Sequence, residues 1–409
     1  MTAATATTDA DAAATHAVGG VPLDTLANRH GTPLYVYDGD LMARRVAEIR
    51  DALSALRVRI LYSAKANPAV AVARLLRSAG TGLDACSPGD LHLAQLAGFG
   101  RAEISYTSHG ASREELRLAS ERAGTLILDA IEEIPVVAEL TDHVGLRVNP
   151  GIDAGFHEHV RAATSGAKFG IRIEQIPEAL ASAARHGVRV TGFHAHLGSE
   201  FVSTGPHVEL LSQLAELART TTNIKWLNIG GGWGVPRRSA AARYDWVGFA
   251  AAAASILRDL PDVELHVEPG AFLTIDSGWL LARVTGVRGA TGRRPATITT
   301  DASTNHVVSV LMYDAHHPIV LAGSPRPASV HYRVTGNLMQ AGDIIARDVE
   351  LPEASEGDVL AVGLVGGYSS CRATTFNERP RPAEVLVTSG SDRLIRRAET
   401  LDELFNRDL

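Results

Sequence analysis

The sequence predicts a (β/α)8 barrel followed by a smaller, mainly antiparallel β domain. Between about residue 34 and residue 275, short apolar runs alternate with amphipathic helical stretches, the pattern of a parallel sheet covered by helices. Lys65, Asp84, Arg147, His196, Gly230 to Gly232 and Glu268 each stand just after an apolar run. In a barrel those strand ends converge on one mouth, which favours it over a doubly wound open sheet. After residue 276 the texture changes to short strand-like runs separated by Gly, Pro and Asp turns.

In chain order, Arg59–Tyr62 reads as a strand and Ala69–Ala79 as a helix. Leu83–Cys86 is strand-like and Pro88–Ala97 helical. The alternation continues through Ile104–Tyr106, Leu126–Leu128, Val144–Val148, Val190–Ala195, Trp226–Ile229 and Glu264–Val267, which completes eight βα units. Strands of the second domain are expected at Leu280–Val284, Ala296–Thr299, Val330–Val334 and Glu384–Val387, with a short polar helix over the last dozen residues. The expected division is a disordered Ala/Thr/Asp-rich tail over 1–20, a segment 21–37 joining the β domain, a barrel over 38–275 and the β domain over 276–409.

The chain has 409 residues, 45% of them hydrophobic, and a net charge of −7 with its positive charges dispersed. That charge pattern is neither a nucleic-acid footprint nor a membrane-surface patch. No run is long enough to span a bilayer, and the first twenty residues lack the basic and apolar regions of a signal peptide. Cys86 and Cys371 have neither metal-site nor disulfide-framework spacing, and no metal is expected. The expected location is the cytoplasm.

A lysine at a strand end is, taken alone, a partly buried, salt-bridged lysine. A lysine that forms a Schiff base needs a desolvated amine, a phosphate cradle and an electron sink. Leu227-Asn228-Ile229-Gly230-Gly231-Gly232-Trp233-Gly234 is a glycine loop after a strand, where backbone N–H groups can approach a phosphate closely; otherwise it is an ordinary turn. In Val267-Glu268-Pro269-Gly270 the glycine can add a phosphate contact and Glu268 can meet a ring nitrogen; otherwise Glu268 caps a helix. His194-Ala195-His196-Leu197-Gly198-Ser199 puts two histidines on one face of a strand. Without a carboxylate or Cys partner, an imidazole stacked on an aromatic cofactor, with Ser199 on its phosphate, fits better than a metal site.

These motifs, with Tyr62-Ser63-Ala64-Lys65-Ala66-Asn67, occur in the order and spacing of the fold-type III pyridoxal 5′-phosphate (PLP) decarboxylases. The chain resembles the diaminopimelate/ornithine/arginine decarboxylase family, and most closely its diaminopimelate branch, from about residue 33 to residue 390. Arg147-Val148-Asn149-Pro150, Lys168-Phe169-Gly170, the stretch from Tyr313 to Ile319 and that from Asn377 to Val385 carry the resemblance further. It implies an alanine racemase-like barrel that binds PLP, with Lys65 as the Schiff-base lysine and His196 stacked on the ring. It implies that Ser199, Gly230, Gly231, Gly232, Gly270 and Tyr368 hold the phosphate, and that Asp84 and Arg147 lie near the ring face and its O3′. Glu268 would pair with the pyridine nitrogen and keep it protonated, which favours decarboxylation over racemisation. The resemblance also implies a homodimer with shared active sites.

Four positions that read substrate in the diaminopimelate branch differ. The Glu-Pro-Gly-Arg motif ends here in Ala271, the arginine expected four residues before Tyr313 is Ser309, and a Cys-Glu pair contributed by the second subunit aligns with Met339-Gln340. The two arginines and the glutamate hold the distal groups of the substrate, each contact being typically about 1.5–3 kcal/mol. The cysteine is thought to protonate Cα, which a thioether cannot do; Lys65, Tyr368 or a water held by His196 are the candidates in its place. Asp314, after Tyr313, is either a reader of a distal amine or a salt-bridged turn residue.

The expected function is removal of the α-carboxylate of an amino acid or amino-acid conjugate, with a substrate other than meso-diaminopimelate. A longer, neutral, modified or carrier-protein-tethered amino acid of specialised metabolism suits the altered pocket. The alternatives are a racemase or epimerase on the same scaffold, a diaminopimelate, ornithine or lysine decarboxylase with an unusual pocket, and a non-catalytic relative.

Overall fold

The computed structural model describes residues 17–107, 109–153, 162–164, 166–237, 243–406 and 408. The chain separates into two compact units, Ala43–Leu273 and a second formed by the residues up to Met42 with Thr274–Leu409.

The expected tail falls largely on residues 1–16, outside the described residues. Its last residues are paired: β1 (Ala17–Val18) runs antiparallel to β2 (Val21–Pro22). Gly19 and Gly20 between them take φ of +53° and +83°, which suits a two-residue hairpin turn, and Val18 is buried. After β3 (Leu34–Asp38) come the strands of the first unit: β4 (Val58–Ser63), β5 (Gly82–Ala85), β6 (Ile104–Thr107), β7 (Thr125–Leu128), β8 (His143–Asn149), β9 (Ile171–Arg172), β10 (Arg189–His194), β11 (Trp226–Asn228) and β12 (Glu264–Val267).

All pairings among these are parallel. β4 lies between β12 and β5, and a β8–β10 pairing closes the ring, with β9 attached to the end of β8. The eight barrel strands coincide, within a residue or two, with the eight apolar runs of the sequence. Helices such as Val70–Ser78, Pro88–Ala97 and Gly205–Thr220 alternate with them. Pro88–Ala97 starts where Ser87 accepts from Asp90 N and stops at Gly98 in the left-handed region.

Trp226 stacks on His266 at 5.2 Å and 7° and occupies the space that side chains at Gly145 and Gly192 would need. A Cβ on Gly192 would lie 2.2 Å from the indole, and one on Gly145 2.3 Å from it.

The second unit holds β3 with β13 (Gly278–Arg288), β14 (Ala296–Thr300), β15 (Ile319–Leu321), β16 (Val330–Thr335), β17 (Ile344–Leu351), β18 (Val359–Gly363), β19 (Ala383–Thr388) and β20 (Ser391–Arg396). Its pairings are antiparallel except β14 with β16 and β19 with β3. Leu26, Val36, Leu281, Ala361, Val385 and Val387 lie in its core. No helix among the described residues is long and apolar enough to cross a membrane.

Gly192→Ala is expected to destabilise the protein by about 1–3 kcal/mol through overpacking. Pairing it with Trp226→Leu should recover part of the loss, as read from denaturant midpoints.

Candidate active site

β4 ends at Ser63, and a single turn, Ala64–Ala66, carries Lys65 beyond the strand. Its Nζ lies 3.3 Å from Asp84 Oδ2 and 3.5 Å from Cys86 Sγ. Ser63 Oγ donates to the same Asp84 oxygen at 2.7 Å. Burial first, and then the nearby Glu268, raise the Asp84 carboxyl above its ordinary range, against the opposing pull of Lys65 and Ser63.

The Lys65 side chain is 45% exposed, so the desolvated amine expected from the sequence is instead a charge-paired amine at an open strand end. The turn lifts Lys65 off the strand, and the burial falls on its partner Asp84. Sequence reasoning also passed over Cys86. Burial, with the Asp84 charge adding to it, pushes its thiol up to about 12, so it stays protonated at neutral pH. Its one legible signal was a position two residues after Asp84 at the same strand end.

Glu268 follows β12 and is buried. Asn228 Nδ2 donates to Oε1 at 2.7 Å, and His194 Nε2 donates to Oε2 at 3.3 Å. Burial opposes its ionisation, but His194 and then Lys65 outweigh it and hold the carboxyl down at about 2. The carboxylate partner of His194 is therefore Glu268, a residue 74 positions away that the local motif could not reveal.

The glycine loop turns sharply after β11. Gly230 has φ +68°, and a Cβ there would come 2.7 Å from His196 Nδ1; one on Gly231 would come 2.3 Å from Glu268 O. Gly230 N donates to Asn228 Oδ1 at 2.8 Å and Gly231 N to His196 Nδ1 at 3.1 Å. Two of the loop amides expected to face a phosphate are thus engaged by side chains. The Gly231 bond requires a bare Nδ1, and burial, followed by the Lys65 and Arg147 charges, moves the His196 pKa well below its usual value. His196 is a neutral ring carrying its hydrogen on Nε2.

Behind the loop, His207 Nε2 donates to Gly231 O at 3.2 Å and Nδ1 accepts from Tyr244 Oη at 3.2 Å. Trp233 stacks on the same imidazole at 5.1 Å. Arg147 Nη1 lies 3.4 Å from Asp129 Oδ1, with its guanidinium 4.5 Å from the centre of the Phe169 ring. Asp129 also contacts His109 Nδ1 at 2.6 Å and accepts from Gly170 N at 3.1 Å. Ser199 lies in the loop after β10, and Ala271 opens a one-turn helix, Ala271–Thr274, directly after Gly270.

Ser309, Tyr313, Asp314, Met339, Gln340 and Tyr368 belong to the second unit. Ser309 and Tyr313 lie on the helix Val308–Tyr313, and Asp314 caps it in the left-handed region. Asp314 is exposed, 3.9 Å from Arg347, as a salt-bridged turn residue would be. Ser309 Oγ lies 2.8 Å from His317 Nε2, and His317 Nδ1 lies 2.8 Å from Gly363 O. Arg372 donates to Tyr313 Oη at 3.1 Å and lies 5.2 Å from the centre of the Tyr368 ring. Met339 is 91% exposed and Gln340 is exposed.

Residues 40–275 match the pyridoxal binding domain of the pyridoxal-dependent decarboxylases. Diaminopimelate decarboxylase of Methanothermobacter thermautotrophicus is 33% identical over 404 residues, 95% of this chain and 94% of that protein. The Deinococcus radiodurans enzyme of the same name is 33% identical over 383 residues, 94% and 97% of the two chains. The crystal structure of Helicobacter pylori diaminopimelate decarboxylase complexed with L-lysine superposes with a TM-score of 0.88 at 25% identity, covering 94% of this chain and 98% of that one.

The folded pKa of His207 is lowered by burial to about 4, below the value of about 6.5 expected when unfolded. The unfolded state therefore takes up the proton first as pH falls. The stabilisation from this neutral imidazole is complete above about pH 6.5 and is lost progressively down to about pH 4, roughly 2 kcal/mol of it by about pH 5. Urea midpoints of wild type and His207→Gln at about pH 7 and pH 5 check this, with a smaller drop expected for the variant.

Proposed function

The chain belongs to the pyridoxal-dependent decarboxylase family, and from that premise we propose that it removes the α-carboxylate of an amino acid or amino-acid conjugate other than meso-diaminopimelate. The coarser activity is that of the family: a PLP-dependent carboxy-lyase acting on an amino acid. Bound PLP supplies an electron sink for the electron pair released when the bond between Cα and the carboxylate breaks.

The residues at the barrel-strand ends fit that cofactor. An amine, a buried carboxylate that stays ionised and a loop without room for any Cβ lie around one neutral imidazole. In this reading Lys65 attaches the cofactor, with Asp84 as its counter-ion. Glu268 would hold a proton on the pyridine nitrogen, and its buried carboxylate, fixed by donors from Asn228 Nδ2 and His194 Nε2, is the single observation that carries decarboxylation. His196 offers an uncharged face to the ring, and Arg147 and Asp84 meet the side bearing O3′. Ser199, Gly232, Gly270 and Tyr368 take the phosphate, with Gly230 and Gly231 giving close backbone approach.

The substrate reading rests on Ser309. A carbonyl only accepts, so His317 Nδ1 must donate to Gly363 O, and its Nε2 faces the Ser309 hydroxyl. Ser309 offers an uncharged hydroxyl paired with His317, where the resemblance expects a guanidinium. A distal carboxylate would find no arginine to pair with there. Ala271 and Gln340 supply no charge either, which supports a longer, modified or carrier-tethered substrate of specialised metabolism. We further infer a cytoplasmic homodimer. Exposed Leu311, Met312, Met339 and Phe376 on the second unit support its coverage by a second copy.

Lys65→Ala is expected to lose both the visible cofactor absorbance and all CO2 release. A decarboxylation screen over diaminopimelate, ornithine, lysine, arginine and glutamyl conjugates should find turnover on a substrate without the free distal amino acid. Ser309→Arg combined with Ala271→Arg and Gln340→Glu should raise kcat/KM for meso-diaminopimelate by about tenfold or more per restored contact. Efficient wild-type turnover of meso-diaminopimelate would refute the substrate reading.

A further inference from the structure

Asn228 ends β11 and is fully buried. Its amide reaches in two directions at once: Nδ2 donates to Glu268 Oε1 at 2.7 Å, and Oδ1 accepts from Gly230 N at 2.8 Å. The orientation is unambiguous, because the reversed amide would set an N–H against an N–H on one side and oxygen against oxygen on the other. The backbone repeats the connection, with Ala195 N donating to Asn228 O at 2.9 Å and Glu268 N to Gly230 O at 2.7 Å. With His194 on Oε2, both carboxylate oxygens of Glu268 are engaged.

We propose that Asn228 is a positioning residue that joins the Glu268 carboxylate to the glycine loop, so that recognition of the cofactor's ring nitrogen and of its phosphate is co-operative. The proposal rests on the assignment of Glu268 and the loop to those two ends of PLP. Neither arm of the amide needs to touch the cofactor. Its effect is to couple two anchors that a ligand of fixed length must reach together. The charged and titratable groups around Glu268 are His194, His196, His266, Lys65, Asp84 and Cys86. Asn228 is the neutral member of this set and leaves the charge balance to the others.

The two arms are separable by substitution. Asn228→Asp keeps an acceptor for Gly230 N–H but sets a second carboxylate against Glu268. Asn228→Ala removes both arms. The measurement is the equilibrium affinity of each apoenzyme for PLP and for pyridoxal, which lacks the phosphate, together with the pH dependence of the visible band.

Asn228→Ala should weaken PLP binding by about 10- to 100-fold and reduce the ratio of PLP to pyridoxal affinity. Asn228→Asp should weaken both ligands while preserving that ratio, and should move the pH dependence of the band. The double variant Asn228→Asp/Glu268→Gln re-forms the bond with reversed polarity. It should bind PLP within a few-fold of Glu268→Gln alone. Unfolding curves of the apo variants separate these effects from misfolding.

An Asn228→Asp protein that matches wild type in affinity and pH profile overturns the link. If instead Glu268→Gln leaves both readouts unchanged, the assignment of Glu268 to the ring nitrogen fails, and the proposal falls with it.

Discussion

Everything at the barrel mouth turns on keeping one carboxylate charged while it is buried. Moving a carboxylate out of water is costly, and such a group normally takes up a proton instead. Glu268 escapes that outcome because His194 and Asn228 each donate to one of its oxygens and the Lys65 charge lies nearby. Asp84, buried in the same neighbourhood, has its pKa raised by that burial first and by the Glu268 charge second, while Lys65 and Ser63 oppose the rise. Two acids at the ends of the strands that flank β4 therefore differ because of their surroundings, not their chemistry.

That arrangement requires strands to be adjacent which are far apart in sequence. Glu268 follows β12, its partners come from β10 and β11, and Lys65 follows β4, which pairs with β12. Ring closure is what makes neighbours of the first strand and the last. Trp226 packs into the space left by Gly145 and Gly192 on β8 and β10. One strand, β11, therefore carries both that side chain and, two residues later, the amide that holds Glu268.

The histidines follow the same logic. His196 and His207 are held neutral by burial, and each has its tautomer set by a bond to Gly231, one to the N–H and one to the C=O. The loop is fixed from both sides of a single peptide-bearing residue. A glycine run of this kind is not a flexible turn in this protein. It is a closely packed one, because the absence of Cβ atoms lets neighbouring groups close on the backbone.

By itself the sequence determined the barrel strands, since their apolar runs at even spacing leave few other ways to bury them. It also determined the strand-end positions of Lys65, Asp84, His196, the glycine loop and Glu268, because those follow from where each run stops. Several strands of the second unit were not legible. β17 and β20 mix apolar with charged residues along their length. Only the tertiary structure decided who partners whom: His194 with Glu268, Asn228 with both Glu268 and Gly230, Ser309 with His317, Cys86 with Lys65. Apart from the local Asn228–Gly230 bond, those pairs join residues on different strands or across a helix end, and their hydrogen-bond geometry and burial exist only once the chain has folded.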